Sequence, residues 1–381
     1  MAFSRFAFGE RRLYPSDADL WESREDRIPG GPAEGMTRRD FLKSAGLALG
    51  ALWFPHPPGE RALPSRRKPR GWGRVTVSGI RLHEEPSRRS RSVDWLPRDT
   101  VVPIFAEVEG EAYLPHNAIW FETEGGYLYS SWVQPVRRDY HWRWRTRIPE
   151  AGLWGQITVP YADTHRRPDE ASPVVYRLYY SSVHRIVAAE RDSRGYVWYR
   201  LRDDLMPGLV QWVLAYNVRI IPYTELTPIA VGVPDKWIEV HLKEQRLIAY
   251  EGKREVFTCR VSTGTIFRDA LGGLRDFRTP VGNHQVVRKT ASRHMRGGTP
   301  GVDFYDLPGV PFTTYFTWTG VAIHGTYWHN DFGRPRSHGC VNVPTDAALW
   351  VFRWTSPYVP YRKQVVYARN GGGTPVAVVQ A

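Results

Sequence analysis

The sequence predicts a mainly β protein: two small barrels followed by a larger β-rich domain. Three observations carry the β reading. At 381 residues the chain is long for one compact core, so two or three domains are expected. Short runs with period-2 alternation, rich in β-branched and aromatic residues, recur between turn residues. Aromatic side chains are abundant, with 16 Trp and 20 Tyr beside 15 Phe, which suits thin β cores that each ring fills with a large apolar face.

The hydrophobic share of 42% and charged share of 24% are those of a soluble globular chain. A formal charge of +13 favours acidic surroundings: a wall rich in carboxylates and phosphates, an anionic membrane face or nucleic acid. Nucleic acid is set aside because no basic helix, zinc spacing or RNA-binding signature is present. Cys259 and Cys340 are the two cysteines, too few for a disulfide framework.

The first 72 residues read as a polar extension, an export signal and a basic linker. Arg38 and Arg39 precede Phe41, Leu42 and Lys43, and an apolar run follows over residues 45–54. That run is shorter than the roughly 20 residues a membrane span needs. A basic region before a short apolar core is the layout of a secretory signal. The string over residues 37–43 resembles the twin-arginine (Tat) motif, which implies export to the cell envelope or wall. Pro55, Pro57 and Pro58 stand where a small-residue cleavage site would lie, so retention as a membrane tether is the second outcome expected. Met36 is an alternative start, and residues 55–71 form an extended basic linker.

Residues 73–137 contain the alternating runs RVTVSGIRL, TVVPIFAEV and AIWFETEGGYLYSSWVQPV. Residues 150–223 repeat the plan: Trp120-Phe121 matches Trp198-Tyr199, and Trp132-Val133 matches Trp212-Val213. Both copies resemble bacterial SH3-like modules. Between them YHWRWRT, residues 140–146, alternates aromatic and basic residues. It reads as a linker strand packed on a neighbour, with an anionic-polymer strip as the alternative.

From residue 235 the texture changes. Residues 236–264 read as three strands with tight turns, ending in Ser262-Thr263-Gly264, and TPVGNHQVVRK over 279–289 adds another turn and strand. An apolar strand over residues 321–323 then delivers His324 and Gly325. Fourteen positions after His324 comes His338, within Ser337-His338-Gly339-Cys340-Val341-Asn342. A cysteine attacks a carbonyl as its thiolate, and a nearby imidazole takes the proton or lowers the thiol pKa. Glycine before the nucleophile lets the backbone approach closely, so main-chain N–H groups face a developing oxyanion. Zinc is the competing use of His324, His329, His338 and Cys340, though their spacing matches no standard zinc pattern. Cys259, alternating within a strand, reads as a buried core thiol. PTDAALWVFRW, residues 344–354, reads as a short helix packed behind the active-site loop, with Asp346 near its start. Residues 268–311 are polar and include Gly297-Gly298, which suggests a mobile lid.

The His-Gly pair followed by Ser-His-Gly-Cys-Val-Asn resembles the catalytic motif of the L,D-transpeptidase (YkuD-type) family at every motif position, over residues 235–368, with residues 369–381 left as a flexible tail. The resemblance implies a sandwich-like sheet pair with one or two short helices. It implies Cys340 as nucleophile, His324 as general base, and the Gly325 carbonyl orienting that imidazole. His338, Gly339 and Cys340 would shape the oxyanion site, with Asn342 ordering the pocket and Ser337 a loop hydrogen bonder. Tyr315 and Trp328 would wall the substrate cleft. The implied reaction is acyl transfer between peptidoglycan stem peptides through a Cys340 thioester, forming 3–3 cross-links with no metal or organic cofactor and open to carbapenem-type β-lactams. Alternatives are an L,D-carboxypeptidase of the same fold, with water as acceptor, and a non-catalytic wall-binding protein.

Overall fold

The structure, a computed structural model, describes residues 67–268, 272–300, 303–369 and 371–380. The twin-arginine string and residues 55–66 of the linker lie outside them. The described chain is mainly β, as expected, with one α-helix among the described residues, Thr345–Trp354.

The first module runs from Gly71–Val75 to Val133–Val136, in a three-stranded and a five-stranded sheet that share one core around Trp120, Leu128, Tyr129 and Val133. The second runs from Leu153–Ile157 to Val218–Ile220 in one seven-stranded sheet. The repeat read from sequence has a structural counterpart. Trp120 and Trp198 are each 0% exposed, and so are Val133 and Val213. A further matched pair escaped the sequence reading. His83 Nδ1 donates to the Ser90 carbonyl (3.2 Å), its ring edge-on to Trp120 at 5.5 Å. His165 Nδ1 donates to the Ser172 carbonyl (2.7 Å), its ring edge-on to Trp198 at 5.6 Å. In each copy the histidine ties a strand to the following turn and covers the central Trp.

The segment over residues 140–146 forms no strand but lies along the second module. His141 N–H donates to the Tyr216 carbonyl (2.8 Å), Trp142 stacks on Tyr216, and Trp144 packs on the module core.

The C-terminal region is built on a pair of five-stranded sheets. The first contains, in order, Arg254–Arg260, Arg246–Glu251, Lys236–His241, Pro375–Val379 and Gly282–Gln285. The second contains Val341–Val343, Ala322–Gly325, Tyr305–Tyr315, Arg288–Gly297 and Val365–Tyr367. A continuous core that includes Ile238, Val240, Val341, Val343, Val351 and Phe352 binds them.

Two expectations, for the tail and for Cys259, need correction. Residues 369–381 are not a free tail: Pro375–Val379 pairs in parallel with Lys236–His241, because its alternation sends Val376 and Val378, 1% exposed each, into the core. The described residues within 268–311 are largely strand and include the long hairpin of Arg288–Gly297 against Tyr305–Tyr315, where the lid was expected. Cys259 is half-buried rather than fully buried, opposite Leu247 at the edge of the core, and burial pushes its thiol up to about 12.

The helix buries Ala347, Ala348, Val351, Phe352 and Trp354 behind the strands that carry the motif. Two lysines meet its C-terminal end. Lys236 Nζ donates to the Trp354 carbonyl (3.0 Å), and Lys289 Nζ, on a fully buried side chain, to the Thr355 carbonyl (2.6 Å). The negative end of the helix dipole favours an ammonium group there, while burial, and then the neighbouring Lys236, hold Lys289 well below the usual lysine range.

Candidate active site

A cavity of about 380 Å³ opens beside Cys340. Seven of the nine sequence-singled residues line it: Tyr315, His324, Trp328, Ser337, His338, Cys340 and Asn342. Gly325 and Gly339 support it through their backbones.

Parallel pairing brings the motif's two halves together. Ile323 faces Val341, His324 faces Asn342 and Gly325 faces Val343, so Cys340 enters its strand beside the one that carries His324. His324 is 2% exposed. Its Nδ1 lies 3.1 Å from the Gly325 carbonyl. A carbonyl only accepts, so the ring proton sits on Nδ1 and Nε2 keeps its lone pair. Burial pushes this imidazole down to about 4. Gly325 leaves no room for a side chain: a Cβ would lie 2.7 Å from Pro311 and 3.2 Å from Thr345.

The Cys340 thiol is directed at the Gly320 carbonyl, 3.8 Å away. Burial pushes it up to about 11, although the Ala322 backbone partly offsets this. Thiol and imidazole thus rest uncharged at neutral pH. Tyr305 and Tyr315 flank the sulfur closely enough for its charge to raise both phenols, after the larger effect of burial.

Gly339 adopts φ +111°, a left-handed geometry that only glycine takes without strain. Ser337 Oγ donates to the Cys340 carbonyl and accepts the Gly339 N–H (3.2 Å), acting as a loop hydrogen bonder. The Gly339 N–H expected to face an oxyanion is therefore engaged with Ser337 here. Behind this turn stand the turn at Ser262-Thr263-Gly264 and the one that opens at Thr279. Gly264 N–H donates to Thr279 Oγ1 (2.9 Å), and Thr279 Oγ1 donates to the Gly339 carbonyl (2.8 Å).

His338 is sandwiched by aromatics, stacked on Phe267 at 4.5 Å and meeting Phe277 at 4.6 Å and Tyr305 at 5.2 Å. Burial pushes it down to about 4. The Asn342 side-chain amide meets His329 Nε2 at 3.0 Å. On the other side of the ring the Asp331 N–H donates to His329 Nδ1 (3.1 Å), so both ring nitrogens of His329 are engaged and its imidazole is fixed against Asn342. Trp328 lies 5.7 Å from the His324 ring and Tyr315 is 5% exposed in the opposite wall. The four residues considered for zinc thus have separate partners, and no metal-binding group of three or more His, Cys, Asp or Glu occurs among the described residues.

Other cleft residues had no signal in the motif. Leu205 reaches the cavity from the second module. His294, also in the lining, is held between two carboxylates: Nδ1 donates to Asp203 Oδ2 of that module (2.7 Å) and Nε2 to Asp306 Oδ1. Burial opposes its charge, yet these hydrogen bonds and charges raise it to about 9. Outside the cavity lining, His116 of the first module donates through Nε2 to the fully buried Asp331 (2.6 Å), which also receives Arg334 and Arg336 at 2.6 Å each.

Residues 235–378 match the family described as the L,D-transpeptidase catalytic domain, YkuD. L,D-transpeptidase 1 of Mycobacterium tuberculosis is 27% identical over 156 residues, covering 38% of this chain and 62% of that protein. The chain thus spans less than two thirds of the curated relative it matches. Among solved structures, the catalytic domain of the Enterococcus faecium L,D-transpeptidase is 25% identical, covering 39% of this chain and 99% of that one at a TM-score of 0.28. L,D-transpeptidase 3 of Mycobacterium tuberculosis, in complex with a faropenem-derived adduct, is 20% identical, covering 45% and 73% at a TM-score of 0.29. It is residues 235–378 of this chain that carry the likeness to the YkuD-type L,D-transpeptidase catalytic domain.

Proposed function

We propose that this protein is a peptidoglycan L,D-transpeptidase that forms 3–3 cross-links through a Cys340 thioester. The observation that carries the reading is the pairing of the His324 and Cys340 strands at one cavity, with the imidazole held in the tautomer that leaves Nε2 able to accept a proton.

The neutral resting pair makes His324 a base that acts during attack. Rotation about the Cys340 side chain turns the thiol from the Gly320 carbonyl to His324 Nε2. The sulfur attacks the carbonyl between the third and fourth stem residues while the thiol proton passes to Nε2. When the tetrahedral intermediate collapses, the C–N bond breaks. The terminal D-Ala amine leaves with the proton from Nε2, and the stem stays on sulfur as a thioester. The side-chain amine of a second stem then attacks the thioester, Nε2 accepts its proton, and the returning proton regenerates the Cys340 thiol. Residues 235–378 supply each group named, and no step calls for a metal or organic cofactor.

Of the two N-terminal modules, read as SH3-like, the second reaches the cleft with Leu205 and holds the cavity-lining His294 through Asp203. Tat export, an envelope location and a retained membrane tether belong to the same proposal and rest on the string over residues 37–43.

The test is intact-mass spectrometry with a carbapenem, followed by turnover of synthetic tetrapeptide stems. We expect one drug-sized adduct on the wild type, none on Cys340→Ala, and tripeptide–tetrapeptide dimers from the stems. An adduct that survives Cys340→Ala would overturn the nucleophile. Tripeptide alone, with no dimer, would replace transfer by hydrolysis.

A further inference from the structure

Three arginines line the cleft: Arg288, Arg293 and Arg296. Two are already matched by carboxylates. Arg293 Nη1 lies 2.6 Å from Asp204 Oδ2, and Arg296 Nε lies 3.5 Å from Asp306 Oδ2. The protonated His294 beside them is flanked by Asp203 and Asp306, so its charge is spent as well. Arg288 differs. Among the described residues no carboxylate lies within ion-pair distance of it, and its guanidinium rests over the Tyr315 ring, 4.0 Å from the centroid.

The position of this free cation is set by strand pairing. Arg288 faces Tyr315 in the long hairpin and Tyr367 on the other side, so its backbone is tied on both edges. Stacking uses the face of the guanidinium and leaves the in-plane N–H groups available, the fork that matches a planar carboxylate in bidentate fashion. Tyr315, its support, is also close enough to Cys340 for the thiolate charge to be felt at the phenol. An unmatched, preorganised, half-buried cation beside the nucleophile calls for an anionic part of the substrate.

We propose that Arg288 is the carboxylate-binding residue of the cleft and anchors one carboxylate of the donor stem. This rests on the transpeptidase reading and deepens it. Two stem groups share the chemistry: the C-terminal carboxylate of the departing D residue, and the side-chain carboxylate of a diaminopimelate at the third position.

The experiment uses the full chain and three synthetic tetrapeptides: the free acid, its C-terminal amide, and the form amidated at the diaminopimelate side-chain carboxylate. For wild type, Arg288→Gln and Arg288→Lys, kcat and KM are measured on each. Loss of one charge-assisted bidentate contact predicts a KM roughly 10–100-fold higher for Arg288→Gln on the free acid, with kcat little changed. On whichever amidated peptide lacks the recognised carboxylate, wild type and Arg288→Gln should coincide, which identifies the source. Arg288→Lys should fall between them on the free acid and carries the same comparison if Arg288→Gln does not fold. An equal KM rise on all three peptides, or no rise on any, overturns the proposal.

Calorimetric titration of the free acid into Cys340→Ala and Cys340→Ala/Arg288→Gln separates this idea from the function it rests on. Wild-type turnover with no Arg288 effect sinks the subsite alone. No turnover, but binding weakened at least tenfold by Arg288→Gln, sinks the transpeptidase reading and keeps the carboxylate site. Neither turnover nor binding sinks both.

Discussion

Thr279 Oγ1 donates to the Gly339 carbonyl at 2.8 Å, fastening a strand-turn 60 residues away to the residue before the nucleophile. The same hydroxyl accepts the Gly264 N–H at 2.9 Å, so one buried atom joins three turns. Thr279→Val keeps the shape and removes both bonds, leaving a buried N–H and carbonyl unpaired at about 1–3 kcal/mol. We expect its denaturant midpoint to fall and Cys340 acylation to slow, with Thr279→Ser close to wild type. A Thr279→Val protein as fast as wild type would show that the turn holds without this brace.

Gly264 makes a steric counterpart. A Cβ there would lie 2.0 Å from the Phe277 carbonyl oxygen and 2.8 Å from Gly339 Cα, all backbone atoms that cannot rotate away. Gly264→Ala should therefore move the catalytic turn itself. We expect a loss of Cys340 acylation at least as large as that of Thr279→Val, measured by intact mass against time.

The thiol near 11 and the imidazole near 4 predict a distinctive pH profile for simple alkylation. Thiolate should be on the order of one part in ten thousand at pH 7. Iodoacetamide labelling of Cys340 should then climb close to tenfold per pH unit between pH 6 and 8.5. A rate flat across that window would reveal a thiolate–imidazolium pair and refute the neutral ground state.

His294 predicts a pH dependence of stability. Its folded value, about 9, lies above the ordinary histidine value of about 6.5, so the folded state binds the proton more tightly. The resulting stability, about 3 kcal/mol, is complete below about pH 6.5 and is lost as pH rises through about 9. Chemical denaturation at pH 6 and pH 9 should show this difference in the wild type and most of it gone in His294→Gln. An unchanged difference in the variant would assign the pH effect to other groups.

Asp331 is 0% exposed and accepts from His116, Arg334 and Arg336. Asp331→Asn leaves the nearly buried Arg336 without its anion, a loss of roughly 3–5 kcal/mol. His116→Ala removes only one contact at the seam with the first module and should cost about 1–2 kcal/mol. Urea midpoints with unchanged m-values would check the order. Equal losses would mean that the seam, rather than the buried charge, dominates.

Much of the candidate site was legible because it is local in the chain. His324, Gly325 and the six residues 337–342 lie within one short stretch, and each has chemistry that its type and neighbours declare: a thiol after glycine, an imidazole at a strand end. The helix at Thr345–Trp354 was legible from its apolar spacing, and the mainly β character from alternation. The tail was misread because its Val376 and Val378 alternation is answered only by a partner strand more than 130 residues earlier.

What no local pattern held was the company these residues keep. Arg288 becomes a cleft cation because register sets it against Tyr315, and His294 owes its charge to Asp306 together with Asp203, which a loop of the second module delivers from 91 residues upstream. Spacing along a chain encodes groups that a single turn or strand pair brings together. Burial, charge compensation and the choice of which arginine remains unmatched depend on the sum of distant neighbours, and that sum exists only once the sheets and modules have packed.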